Sequence, residues 1–285
     1  MKVKKICIGI TIFFLAMIAL SAVFTLFHNE ISLKEKVAVV TIEGPILQSK
    51  NTIDEIKGYK KDRGIKAIVL RIDSPGGGVV PSQEIYEEVR KAAAHKKIVV
   101  SMGSVTASGG YYIAAAANRI VANPGTITGS IGVIMEVPNI KGLMDKIGVK
   151  TEVVKSGKHK DLASVFRGIG SEEREILQGV MDEVHGQFIK AVSEGRKIPV
   201  DDVRKIADGR IFSGSQGIKI GLVDELGDLD HAVKLAAKMA GIKGEPEVVT
   251  KKSRSPFLDL LSGNVPDGIS RVLPKIELKY MYTPY

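Results

Sequence analysis

Residues 99–114 read VVSMGSVTASGGYYIA: an apolar run that breaks at Ser108, passes two glycines and continues into a helix-prone stretch. A strand that turns so abruptly into a helix is one unit of an α/β fold. It places Ser108 at a helix N-terminus, where the first backbone N–H groups have no intrahelical acceptor and the local dipole is positive. A hydroxyl presented there can attack a carbonyl, and the neighbouring amides can hold the resulting oxyanion.

The flanking segments repeat the same alternation. Val37–Ile42 reads as a buried strand, 51–60 as a helix, and Lys66–Ile72 as a second strand ending in Asp73-Ser74-Pro75-Gly76-Gly77-Gly78. Helical spacing over Pro81–Ala94 leads to a strand at Lys97–Met102, the Ser108 turn and a helix near 109–117. Further strands are expected at 119–121, 131–137 and 150–155, with a helix at 139–147. Ser171–Lys197 forms a long amphipathic helix with Leu177, Val180, Met181, Val184, Phe188 and Ala191 on one stripe, which suits core packing or a subunit contact. Helices near 200–207 and 228–240 follow, and the tail from Lys251 is expected to be flexible or to pack as an arm on a partner. The pattern predicts a mainly parallel sheet.

The formal net charge of +9 sits largely at the ends. Residues 1–27 carry three lysines and no acid, and residues 251–285 carry six basic against three acidic residues. With no tryptophan and no basic stripe interleaved with aromatics, nucleic-acid binding is excluded. The N-terminal lysines Lys2, Lys4 and Lys5 flank Ile6–Phe27, which holds no charge over 22 residues. At about 1.5 Å per residue such a segment crosses a hydrocarbon core of about 30 Å. The expected organisation is a cytoplasmic 1–5, a transmembrane anchor 6–27, a linker 28–36, an exported domain 37–250 and a tail 251–285. A cleaved signal peptide, cut near Ala19-Leu20-Ser21, is the rival reading. The only cysteine, Cys7, lies in the anchor, so the body has no disulfide and no thiol nucleophile.

Ser108 needs a base. His28, His95, His159, His185 and His231 are available, but no G-x-S-x-G elbow is present and each histidine has an ordinary surface or packing explanation. The stretch KSGKHKD at 155–161 offers Lys155, Lys158 and Lys160 on a glycine-containing loop. A lysine that accepts a proton at neutral pH must have its pKa lowered from about 10.4 towards 7–8, roughly 4 kcal/mol against the ammonium form. Burial and hydroxyl partners do this, and Thr126, Thr128 and Ser130 supply hydroxyls. On chemistry alone the three lysines are not separated. Ser74-Pro75-Gly76-Gly77-Gly78 lacks the Lys-Ser/Thr of a phosphate loop but can lie along a substrate strand and offer a second oxyanion amide.

Taken together, IDSPGGGV, VSMGSVTASGGYYIAAAANRIVANPGTITGSIGVI, KSGKHKD and ADGRIFSGSQGIKIGLVDELG resemble the signal peptide peptidase A family in its short form, over about residues 37–240. The resemblance implies a Clp-protease/crotonase-like fold of repeated ββα units behind one transmembrane helix. It also implies a Ser-Lys dyad without metal or cofactor. On that pattern Ser108 is the nucleophile, Lys160 the general base, Ser130 the hydroxyl that orients the lysine, and Gly109 and Gly77 the oxyanion amides. A ring-shaped homo-oligomer and remnant signal peptides as substrates are implied as well. A catalytically silent scaffold is disfavoured because serine and lysine are both present. An acyl-CoA hydratase or isomerase is disfavoured because no Asp or Glu lies between Glu88 and Glu136. A stomatin-associated Ser-Lys protease would share the dyad, but the GRIFSG…GLVDELG segment favours the peptidase A pattern.

Overall fold

A computed structural model describes residue 10 and residues 12–21, 35–251 and 279–282 of the chain. Residues 12–21 are helical and their apolar side chains are exposed. The remainder of the 6–27 anchor, Cys7 and most of the linker lie outside the described residues. Among those described, no helix is long and apolar enough to cross a membrane.

The body is an eight-stranded, mainly parallel sheet. Its strands are β1 (Lys36–Glu43), β2 (Ile65–Ser74), β4 (Lys97–Ala107), β5 (Arg119–Ala122), β6 (Ile127–Gly129), β7 (Ile211–Ser213), β8 (Glu225–Leu226) and β9 (Glu247–Thr250). The main path runs β7-β6-β4-β2-β1-β9, with β5 pairing to β4 and β8. A separate two-stranded ribbon joins β3 (Gly76–Gly78) to β10 (Lys279–Met281). The helices are α1 (Lys50–Lys61), α2 (Val79–Ala93), α3 (Gly109–Ala114), α4 (Lys141–Ile147), α5 (Ser171–Arg196), α6 (Val200–Ile206), α7 (Gly214–Lys219) and α8 (Leu229–Met239).

Strict alternation explains why β1 and β2 hold the centre. Ala38, Val40 and Ile42 of β1, with Ile68, Leu70 and Ile72 of β2, face the larger core beneath α1, α2, α3 and α5. Val37, Val39, Ala67 and Val69 face the opposite way, against Ala232, Val233, Ala236 and Ala237 of α8. Strands covered on both sides carry apolar residues at every position, as in parallel sheets generally. Each fully buried Val, Ile or Leu contributes about 1.5–3 kcal/mol of transfer free energy. The small alanines of α8 let that helix lie close to the sheet.

One irregularity places the site. β4 is 11 residues long; its first half pairs with β5 through Val99–Ser101 and its second half with β6 through Val105–Ala107. Between the halves the β2–β4 register slips, so that Ser74 faces Thr106. The Thr106 hydroxyl donates to the Ile72 carbonyl at 2.6 Å and ties the two strands across the slip. The second half of β4 is thereby redirected, and the chain reaches Ser108 past the edge of the main core.

Two expected strands do not form. Residues 131–137 make only one isolated bridge, between Ile134 and Lys279, and 150–155 have no ladder partner. The valines at 153 and 154 that suggested a strand are exposed instead of buried. The tail also departs from expectation: residues 279–282 pack on the chain's own body, with Tyr280 fully buried. The long helix α5 divides its stripe. Phe188, Ile189, Ala191 and Val192 enter the core, while Ile176 and Val180 stay exposed on the half nearer Ser171.

Candidate active site

Ser108 closes β4 and caps α3 with φ 52° and ψ −118°. A non-glycine residue at positive φ is strained and persists only where its surroundings hold it. Here the Ser108 N–H donates to the Gly129 carbonyl at 2.8 Å, and the Ser108 carbonyl accepts from the Tyr112 N–H at 2.8 Å. The residue is 1% exposed. Ser130, the residue that follows β6, also has positive φ (50°), is buried, and donates its N–H to the Arg210 carbonyl at 2.8 Å. The structure therefore brings Ser108 and Ser130 side by side.

The threonines of the same segment are committed elsewhere. Thr126 donates its hydroxyl to the Gly103 carbonyl and Thr128 to that of Thr106, each at 2.8 Å, and both side chains are buried in the β4–β6 seam. They hold β6, the strand that leads into Ser130.

On the other side of Ser108 stands the glycine loop. The Ser74 hydroxyl accepts the Gly76 N–H at 3.1 Å. Ile46 pairs with the loop through its N–H to the Gly76 carbonyl (2.8 Å) and its carbonyl to the Gly78 N–H (2.9 Å). Because the groups of an extended chain alternate, the Gly77 N–H and carbonyl face the opposite edge. On that edge Tyr280 is the register partner of Gly77, Lys279 of Gly78 and Met281 of Gly76. The Tyr282 N–H extends the pairing to the Pro75 carbonyl at 2.7 Å. The other edge of β10 meets Ile134, with Lys279 donating to its carbonyl at 3.2 Å and accepting its N–H at 3.1 Å.

The Tyr280 carbonyl is thus set against the two amides named from sequence. The Gly77 N–H faces it across the ladder, and Gly109 is so close that a Cβ there would stand 3.2 Å from the Tyr280 oxygen. Gly76 makes this approach possible. With φ 101°, a Cβ on it would lie 2.0 Å from the Tyr280 oxygen and 2.7 Å from the Gly109 nitrogen. An amide across the ladder and a second backbone close by, next to a strained serine, form a setting in which an oxyanion can be stabilised.

Lys160 is placed differently. It sits on an exposed turn, and its ammonium makes no hydrogen bond or ion pair among the described residues. The structure does not bring it against Ser108 or Ser130. The other two lysines of the stretch are engaged: Lys155 pairs with Asp161 and Lys158 with Glu172. The loop carrying Lys160 is fastened to the start of α5. Arg167 binds Asp161 at 2.9 Å and also binds Glu173, and Glu173 accepts the Gly170 N–H at 3.1 Å. Arg167 and then that N–H hold the Glu173 carboxyl at about 2, while Arg167 and Lys155 hold Asp161 well below the usual carboxylate range.

Beyond Ser130 opens a cleft of about 490 Å³, lined by Gly132, Ile134, His185 and Gly209 and entered by Met281 and Tyr282. The buried Nε2 of His185 has no hydrogen-bond partner. Sequence reasoning missed Ile46, Ile134 and Tyr280 as parts of the site. The alternating Lys279-Tyr280-Met281-Tyr282 was the available strand signal, but its partner lies some two hundred residues earlier.

Comparison with known proteins gives a consistent set of likenesses. The model of peptidase family S49 matches residues 90–243, and the Clp protease model matches residues 33–126. A provisionally named protease of Synechocystis sp. is 41% identical over 235 residues, covering 81% of this chain and 84% of its own. A provisionally named signal peptide peptidase SppA of Enterococcus faecium is 34% identical, covering 75% of this chain and 63% of its own. The chloroplastic serine protease SPPA of Arabidopsis thaliana is 34% identical over 77% of this chain, which spans 33% of that longer protein.

Proposed function

The chain belongs to peptidase family S49, and on that premise we propose that it is a membrane-anchored serine endopeptidase of Clp-protease-like fold. Its proposed substrates are hydrophobic peptides, remnant signal peptides among them. The observation that supports the reading is the Tyr280 carbonyl, which lies across the ladder from Gly77 and close to the backbone of Gly109, the residue after Ser108. A peptide in that position has its carbonyl carbon open to a serine and its oxygen open to two donors.

In this reading Lys160 takes the Ser108 proton as Oγ bonds to the carbonyl carbon. The oxyanion forms against Gly109 and Gly77, each donor being worth about 10²–10³ in rate. Collapse breaks the C–N bond, and the leaving amine takes the proton back from the Lys160 ammonium. A water then gives a proton to Lys160, attacks the acyl carbon and releases the acid, restoring Ser108. Ser130 stands where it can accept a hydrogen bond from an entering lysine. The account requires the 150–170 loop to close over the Ser130 end of the site. The availability of Lys160, against the paired Lys155 and Lys158, supports that assignment.

The anchor is supported by the 22 uncharged residues of 6–27 and by the exposed apolar helix at 12–21. A homo-oligomer belongs to the same proposal. Leu143, Ile147, Val149, Val153 and Val154 are exposed on one segment that leads to Lys160, a surface suited to a second copy of the chain. The test is hydrolysis of casein or an apolar peptide by the full chain. Ser108→Ala and Lys160→Ala should each abolish it with an unchanged melting temperature; full activity in either removes that residue from the dyad.

A further inference from the structure

Charge is distributed unevenly between the two edges of the sheet. At the edge that carries Ser108, residues 44–49, 75–78, 103–109 and 123–129 include no charged side chain. At the opposite edge, where the parallel strands β1, β2 and β4 begin, residues 60–66 and 91–97 hold seven Lys and Arg against Asp62 alone. These two segments run from the last turns of α1 and α2 into β2 and β4, and the pairing of Ala67 with Lys97 sets them side by side. Lys96 turns inward and donates to the Tyr59 and Asp62 carbonyls at the end of α1, so the second segment is fastened to the first. Lys60 pairs with Glu88, and Lys66 meets Glu35 at 3.7 Å. Lys61, Arg63, Lys91 and Lys97 are exposed and make no ion pair among the described residues. Basic residues suit helix C-termini in general. Yet the corresponding connection from α8 into β9, residues 238–247, holds two Lys and two Glu and carries no excess. The excess is confined to the place where the chain enters the domain: the Lys36 N–H donates to the Gly64 carbonyl at 3.0 Å.

We propose that residues 60–66 and 91–97 form a membrane-facing surface that binds anionic phospholipid headgroups. The proposal rests on the reading of 6–27 as an anchor. Seven residues, 28–34, separate that segment from Glu35. At no more than about 3.6 Å each they span at most about 25 Å. Gly64, bonded to Lys36, is therefore kept near the bilayer surface, and Lys61, Arg63, Lys91 and Lys97 are kept there with it. Each Lys or Arg near an anionic surface strengthens the contact about five-fold, and the effect fades within a Debye length of about 8 Å. A surface tethered in this way needs little affinity of its own, because the anchor supplies a high effective concentration. The contact fixes the orientation of the domain. Ser108 lies beyond the far end of the 11-residue β4 that starts at Lys97. At about 3.3 Å per residue it is carried on the order of 30 Å from the headgroups. A hydrophobic substrate that starts in the bilayer has to leave it to be cut.

The test places the full chain in vesicles of phosphatidylcholine, with and without added phosphatidylglycerol, and follows acetylation of each lysine by mass spectrometry. Rates are referred to Lys50, an exposed lysine at the far end of α1. In the anionic vesicles Lys61, Lys91 and Lys97 should be acetylated about five-fold more slowly than in the neutral ones. Added salt should remove the difference. Arg63→Glu reverses one exposed charge and leaves those three reporters in place; it should return them to their neutral-vesicle rates. Equal rates in the two kinds of vesicle, or slowing that Arg63→Glu and salt leave untouched, overturn the proposal while the anchor stands. Equal slowing in both kinds shows the face covered by something other than anionic lipid, a second copy of the chain included, and overturns it as well. A chain that leaves the vesicles on alkaline washing removes the anchor reading and this proposal together.

Discussion

The Ser108 N–H donates to the carbonyl of Gly129 at 2.8 Å, and this bond joins the two chain segments that carry the serines of the site, each just past the end of one of two paired strands. Ser108 at φ 52° and Ser130 at φ 50° flank it, both in a backbone region that favours glycine. Relaxing Ser130 to Gly would therefore remove a hydroxyl and a strained residue together, whereas Ser130→Ala removes the hydroxyl alone. Ser130→Ala is expected to lower kcat by about ten- to a hundred-fold with little change in melting temperature, measured by peptide hydrolysis alongside calorimetry.

Gly76 is the tightest position in the site. A methyl group there would meet both the Tyr280 oxygen and the Gly109 nitrogen, at 2.0 and 2.7 Å, and φ 101° is strained for any L side chain. Gly76→Ala is expected to cost about 10²-fold in kcat/KM, as for a lost oxyanion donor, and to lower the melting temperature. Gly125→Ala, with nothing within 4 Å of its added Cβ, should leave both unchanged.

Arg167 holds the Lys160 loop to α5 through Asp161 and Glu173. Arg167→Met keeps the aliphatic stem and deletes both ion pairs. It is expected to reduce kcat more than KM rises and to speed amide hydrogen exchange over residues 157–170. Equal exchange in the variant and the unaltered chain removes Arg167 from any role in holding the loop.

The same cluster predicts an acid response. The Glu173 carboxyl is depressed from 4.5 to about 2 in the folded chain, so the stability it contributes is present in full above about pH 4.5 and is lost as pH falls through about 2. Asp161 is depressed as well and adds in the same direction. Protease nicking within 157–170 should rise as the pH is lowered below 4.5, and Glu173→Gln should show the loosened pattern already at neutral pH. A nicking rate independent of pH in both proteins would remove the ion pairs from the account.

Phe188 joins the core to the aromatic pocket, contacting Tyr112 at 4.9 Å and Tyr280 at 4.8 Å between ring centres while fully buried. Phe188→Ala is expected to destabilise by about 3–5 kcal/mol, and Phe188→Leu by less than half of that, read from denaturant midpoints.

The parts of the molecule legible in the sequence are those whose neighbours are local or whose burial is two-sided. β1, β2, α1 and α2 follow from apolar periodicity, and the Ser108 turn from a strand breaking into Ser-Gly-Gly. The long β4 was legible only to Met102, because Gly103–Ala107 is extended through pairing with β6 and Ser74 and not by its own composition. β6 and β7 are three residues each and exist only as partners of other strands. The strand expected at 150–155 does not form because Val153 and Val154 face solvent and the segment has no ladder partner among the described residues. Tyr280 was hidden because its pocket is assembled from α2, α3 and α5, and nothing in the tail's own composition announces it. Among the site residues, Ser108 and Gly109 had a physical argument from the sequence; the glycine loop and the Thr126, Thr128 and Ser130 hydroxyls had one only as groups, and Gly77, Ser130 and Lys160 were singled out by family resemblance.

The most direct test of the account is to react the full-length protein with a fluorophosphonate, digest it and map the adduct by mass spectrometry, beside Ser108→Ala and Lys160→Ala. The account predicts one adduct, on Ser108 in the peptide containing ASGG, absent from Ser108→Ala and strongly slowed in Lys160→Ala. An adduct on another serine, or labelling of Lys160→Ala at the unaltered rate, contradicts it.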